Sequence, residues 1–252
     1  MLDNKHNEII EFQKELNQQF LNIYEQRSKG IKSSAELIHG LVERVSDFKF
    51  FLPLSVLRSI GSDNKYESLP LMAKWVFGYN QMLGDLYTIV DMENVISHFM
   101  ENKMSDEQRV IENDQYILYL RDKSITDIAL VSKTLKMQNA QEFKEHVLLN
   151  NKEGEASIIK GREYNWDLFD RQNMSVNEWK LLEAIKSLEK ITFMSNAERE
   201  EFLMQPTTDN NKYQKMALAL VEKVYLDEIG SRPVFSISVQ KMVQYLLKLN
   251  AY

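Results

Sequence analysis

Only 8 glycines and 4 prolines punctuate 252 residues. An average chain carries about 7% Gly and 5% Pro, so this one has fewer than half the usual turn-formers. Strands that reverse direction in tight turns draw on these residues, and a many-stranded sandwich or barrel needs many of them. Helices do not. The scarcity therefore points to an all-α fold, an irregular multi-helix bundle with two helical subdomains.

Apolar spacing supports that expectation. Ile9, Phe12, Leu16, Phe20 and Ile23 recur at helical intervals, as do Leu37, Leu41 and Val45. Met72, Trp75, Val76, Tyr79 and Met82 continue the pattern, and Val239, Met242, Val243, Leu246 and Leu249 end it. The stretch from Asn210 to Ile229 reads as one helix closed by Gly230. Four Ser-x-x-Glu/Gln starts stand ahead of such runs: Ser33–Glu36, Ser105–Gln108, Ser175–Glu178 and Ser195–Glu198. In each, a serine hydroxyl and an acid or amide side chain can satisfy otherwise unpaired backbone N–H groups. Tyr116-Ile117-Leu118-Tyr119-Leu120 is the most strand-like segment. With no evident strand partner it too is read as helix. The polar cluster at Asn150–Glu155 marks a boundary, giving an N-terminal helical domain over 1–150, a linker over 151–163 and a C-terminal helical domain over 164–252.

Hydrophobic residues make up 44% of the chain and charged ones 27%, the proportions of a soluble protein with a sizeable core. Lys and Arg total 31 against 37 Asp and Glu, a net charge of −6; this disfavours unspecific binding to polyanions. Absence of cysteine excludes disulfides, thiolate metal sites and cysteine nucleophiles. The start of the chain lacks the basic head and apolar stretch of a secretion signal. No apolar run is long enough to span a bilayer. A cytoplasmic address, or a place in an assembled particle, is expected.

Signals for chemistry are sparse. No glycine spacing matches a dinucleotide loop, and no Gly-Lys-Ser/Thr exists. His39 with Glu43, His98 with Glu101 and Glu142 with His146 are helical neighbours, but none has the Glu-x-x-His order of a helical di-iron site. No catalytic residue, metal ligand or cofactor is therefore assigned.

Two segments do invite partners. Tyr164, Trp166, Phe169 and Arg171 concentrate rings and a guanidinium in an aperiodic stretch, and such residues are enriched at interfaces. Anchoring a loop on the core would account for them equally well. Phe50 and Phe51 in the run Phe48–Leu52 carry the same two readings. The leading expectation is a non-enzymatic interaction or assembly subunit, of the kind found in viral particles, secretion machines and adaptors. Its partners are other protein subunits, further copies of the chain among them. The alternative is a nucleic-acid-binding regulator. Residues 125–146 would form a helix-turn-helix whose Lys133, Gln138, Asn139, Gln141 and Lys144 meet phosphates and base edges.

Overall fold

The computed structural model describes residues 7–15, 17–18, 37–61, 65–68, 72–101, 110–120, 127–141, 144–150, 156–164, 166, 169–190, 195–227 and 232–249. The protein is a mixed α/β fold with two five-stranded sheets, which overturns the all-α bundle. After a helix over 7–15 (α1), the chain runs through β1 (Leu37–Val45), β2 (Phe48–Pro53), a 3-10 turn (Leu54–Val56) and β3 (Leu57–Gly61). β4 (Val76–Met82) and β5 (Asp85–Val90) precede α2 (Met92–Glu101). Then come β6 (Tyr116–Leu120), β7 (Ile128–Ser132), β8 (Met137–Gln141), β9 (Lys144–Asn150) and β10 (Ala156–Tyr164). Helices α3 (Val176–Lys190), α4 (Asn196–Met204) and α5 (Lys212–Leu220) lead to β11 (Val221–Asp227), β12 (Pro233–Ile237) and α6 (Val239–Leu249).

The first sheet closes into a barrel in the order β1-β2-β12-β11-β8. Val42, Phe51, Ala140, Tyr225 and Val234, one residue from each strand, form a buried cluster of their own. Phe51 and Tyr225 meet edge-on, ring centroids 5.5 Å apart. Gly40 lets Phe51 in: a Cβ there would lie 2.4 Å from the Phe51 ring and 2.6 Å from the Leu52 carbonyl oxygen. Alternate residues, among them Leu41, Phe50, Val224 and Phe235, instead join the main core with side chains of α2, α3, α5 and α6. Burying each such ring or branched chain is worth about 1.5–3 kcal/mol. The barrel takes strands from 37–53, 137–141 and 221–237, on both sides of the polar segment 151–163. β9 and β10 pair as a separate antiparallel hairpin.

The second sheet runs β3-β6-β7-β5-β4, parallel only between β5 and β7. Its strand β6 is buried along its whole length. Leu118 and Leu120 of β6 enter the main core, while Ile117 and Tyr119 join Phe77, Tyr87, Ile89 and Ala129 in a second cluster. That is why Tyr116–Leu120 is a strand and not the expected helix. A strand buried on both faces is apolar throughout, and periodicity alone does not separate it from a buried helix.

The helix-turn-helix is overturned on the same ground. Residues 128–132, 137–141 and 144–150 are strands. Gln138, Asn139 and Gln141 lie on β8, hydrogen-bonded between β1 and β11; Lys144 opens β9, and Lys133 sits in the connection after β7. None stands on a recognition helix. The helix over 210–229 is also half strand: at Val221 the backbone turns extended (φ −90°, ψ 129°) and β11 begins.

Where local side-chain chemistry starts a helix, sequence and structure agree. Ser175 Oγ accepts from the Glu178 N–H at 3.0 Å, and Glu178 accepts from the Ser175 N–H at 2.9 Å. Ser195 and Glu198 form the same reciprocal cap on α4. The Ser33 and Ser105 caps lie outside the described residues. No described helix is long and apolar enough to cross a membrane.

Candidate functional site

A groove of about 750 Å³ opens at the second sheet, whose outer strands are β3 and β4. Ile60, Tyr66, Tyr79, Met82, Leu86 and Tyr119 give it an aromatic and aliphatic lining. The polar groups there are Lys65, Glu67, Asn80 and Gln81, whose two formal charges cancel.

The β4–β5 hairpin shapes one side. Met82 faces Asp85 across a two-residue turn, in which Leu83 (φ 54°) and Gly84 (φ 91°) both adopt positive φ. This is the type I′ geometry whose twist matches paired strands. It leaves Leu83 74% exposed and Leu86 64% exposed. Arg58 ties the hairpin to β3, donating to Asp85 Oδ2 at 2.5 Å and to the Tyr87 hydroxyl at 2.6 Å. Its pKa is raised above the ordinary value chiefly by the Asp85 bond.

Residues 65–68 shape the other side. Glu67 and Tyr79 exchange backbone hydrogen bonds at 2.7 and 2.8 Å, and the Asn80 side chain donates to the Lys65 carbonyl. Gly78 permits this approach. A Cβ on it would come within 2.6 Å of both the Glu67 carbonyl oxygen and the Tyr66 ring. At the base of the groove Tyr119, 2% exposed, packs edge-on against the fully buried Tyr87 at 4.8 Å. The floor is buried and the hairpin beside it is exposed.

Such a lining suits reversible binding. Broad rings with hydroxyls at their edges supply contact area and hydrogen bonds at low entropic cost. Among the described residues no group of three or more His, Asp or Glu converges on a common point.

The segments expected to carry the interaction are placed differently. Phe50 and Phe51 are 1% and 0% exposed, one facing the main core and the other the barrel interior. Phe169 is buried in the main core, and Trp166 packs half-buried against it with ring centroids 6.3 Å apart. Arg171 lies over the Trp179 ring at 5.6 Å. Tyr164 ends β10. Trp166 and Phe169 come together, then, as an anchor of their segment on the core. Of the histidines, His39 lies on β1 and His146 on β9, while His98 on α2 meets Tyr245 of α6. His6 lies outside the described residues. The groove residues escaped sequence reading because they come from β3, residues 65–67, the β4–β5 hairpin and β6, which are separate in sequence and meet only in the fold. The one local signal was Leu83-Gly84 between Val76–Met82 and Asp85–Val90, a hairpin turn with Gly at its second position.

No family model matches the chain, and no curated protein matches it in sequence. Among solved structures it is similar to the scaffolding protein TtCheW from Thermoanaerobacter tengcongensis, at 11% identity and a TM-score of 0.31. The likeness covers 40% of this chain and spans less than two thirds, 61%, of the length of that protein. A likeness of that extent assigns neither fold nor role.

Proposed function

We propose that the protein is a non-enzymatic interaction module whose groove on the second sheet holds an extended, apolar segment of a partner protein. The observation that carries this reading is the exposure of Leu83 and Leu86 beside the tyrosine-lined groove. Single exposed leucines are ordinary, but two on one hairpin, of which Leu86 lines a concave aromatic surface, favour apolar contact there. The balanced charge of Lys65 and Glu67 favours a partner segment of little net charge. The β4 edge is taken at Tyr79 by Glu67, whereas β3 is the outer strand at the other end of the sheet order, and an extended segment can add backbone hydrogen bonds along such an edge.

Selection from a random peptide library displayed on phage tests the proposal. Enriched peptides are expected to carry alternating apolar or aromatic residues, since alternate side chains of a strand face one side. Leu86→Lys and Tyr79→Ala are expected to weaken their binding by at least roughly tenfold, the cost of losing a central anchor. No enrichment, or binding indifferent to both substitutions, counts against it.

A further inference from the structure

A second concavity, of about 230 Å³, lies between α4 and α6. Its charge is opposite in sign to that of the whole molecule. Arg199, Lys241 and Lys248 line it, against the single carboxylate of Glu200, in a chain of net charge −6. Lys248 and Glu200 pair at 2.7 Å at the exposed rim. Arg199 and Lys241 are partly buried, and Glu222, which is not among the lining residues, is the acid that acts on Lys241.

Both cations have a structural duty. One Arg199 Nη donates to the Leu218 carbonyl at 2.6 Å, and Lys241 Nζ to the Val221 carbonyl at 3.0 Å. These carbonyls close α5, where the negative end of the helix dipole favours cations. That duty leaves donors over. A guanidinium has five N–H groups and an ammonium three. Arg199 Nε is buried without a hydrogen-bond partner among the described residues, and an unsatisfied buried donor is costly. The two charges also oppose each other: burial first, and Arg199 second, hold the Lys241 pKa below its ordinary value. Tyr245 forms the back wall, its hydroxyl 2.9 Å from His98 Nε2.

We infer that the cleft between α4 and α6 binds a phosphate-class oxyanion, held by Arg199 and Lys241 and completed at the rim by Lys248. Among the lining residues alone the excess is two positive charges, which favours a dianion over a monoanion. The guanidinium N–H groups not spent on the Leu218 carbonyl can donate to an anion oxygen. The volume admits a phosphate or a phosphoryl group on a small side chain.

Calorimetric titration of the full chain with inorganic phosphate, with O-phosphoserine and with acetate tests this. Saturable binding of either phosphate probe, at least roughly tenfold tighter than acetate, is expected from the charge match. Tighter binding of inorganic phosphate identifies a free anion, and tighter binding of O-phosphoserine an esterified one. Two rim variants leave α5 capped and shift affinity in opposite directions. Lys248→Gln is expected to weaken binding roughly fivefold, and Glu200→Gln to strengthen it roughly threefold, by removing an attractive and a repulsive charge respectively. No saturation by 20-fold excess over about 1 mM, or an affinity that neither variant moves, overturns the inference.

Discussion

Lys215 is 1% exposed, yet it carries an ammonium. It donates to the Leu203 carbonyl at 2.9 Å and to the Gln205 carbonyl, where the last turn of α4 leaves oxygens without helical partners. Burial holds its pKa below the ordinary value. The same physics acts on His98, buried on α2 against Tyr245, with the charge of Lys215 nearby. Desolvation first and Lys215 second lower the His98 pKa below its ordinary 6.5, while burial raises that of Tyr245. The phenol thus stays protonated, and the neutral form of the imidazole beside it is favoured. Unfolded chains take up a proton at this position near pH 6.5; the folded chain resists until lower pH. Stability from His98 is therefore complete above pH 6.5 and declines as pH falls toward the folded value. His98→Gln keeps a hydrogen-bonding group beside Tyr245 but no titration. The stability difference between the native chain and this variant, read by urea unfolding, is expected to shrink from pH 7.5 to pH 5.5. A difference constant across that interval would contradict the assignment.

At the scale of elements, the β4–β5 hairpin carries a residue its geometry does not prefer. Leu83 sits at φ 54°, a region that costs a side-chain-bearing residue roughly 1–2 kcal/mol because Cβ crowds the carbonyl. With 74% of its surface exposed it recovers little by packing. Asn enters that region readily and Asn-Gly is the favoured type I′ pair. Leu83→Asn is accordingly expected to stabilise the fold by about 0.5–1 kcal/mol, seen as a higher thermal midpoint; an unchanged or lower one argues against a strained turn. Such turns also show why the strands were hard to read. The β1–β2 hairpin reverses at Ser46-Asp47 with Ser46 at φ 51°, so neither turn residue is Gly or Pro, and the scarcity of those residues misled. Spacing misled too. Leu37, Leu41 and Val45 stand four apart, which is about one helical turn and also two strand repeats; in β1, Leu41 and Val45 share the face toward the main core. By contrast α3 and α4 announce themselves through Ser175–Glu178 and Ser195–Glu198, because a cap is local chemistry between residues three apart. The last helix, α6, was legible from its stripe: Val239, Met242, Val243 and Leu246 are all buried. The groove was not, since β3, β4, β6 and the 65–68 segment meet only in the fold.

At the scale of the whole molecule, the barrel joins chain stretches that lie far apart. β2 pairs in parallel with β12, setting Phe50 beside Phe235 and Phe51 beside Ser236. One main core receives the outer barrel face, one face of the second sheet, and side chains of α2, α3, α5 and α6. Closing so long a loop costs only slightly more entropy than closing a short one, because the cost grows with the logarithm of length. Such pairings slow folding more than they weaken the fold. A fragment of residues 1–150 lacks β11 and β12. It would retain β8-β1-β2 with two unpaired edges, and Val42 and Phe51 would lose Tyr225 and Val234. Open apolar edges of this kind template aggregation. The fragment is therefore expected to be insoluble or to unfold without a cooperative transition, whereas the full chain unfolds in one. A soluble 1–150 fragment with dispersed amide resonances and a sharp urea transition would show instead that the second sheet with α2 folds by itself and that the barrel is an accessory to it. The groove would then belong to an autonomous unit. On the expected outcome it depends on the C-terminal strands and helices, so that loss of β12 would abolish peptide capture without any lining residue having changed.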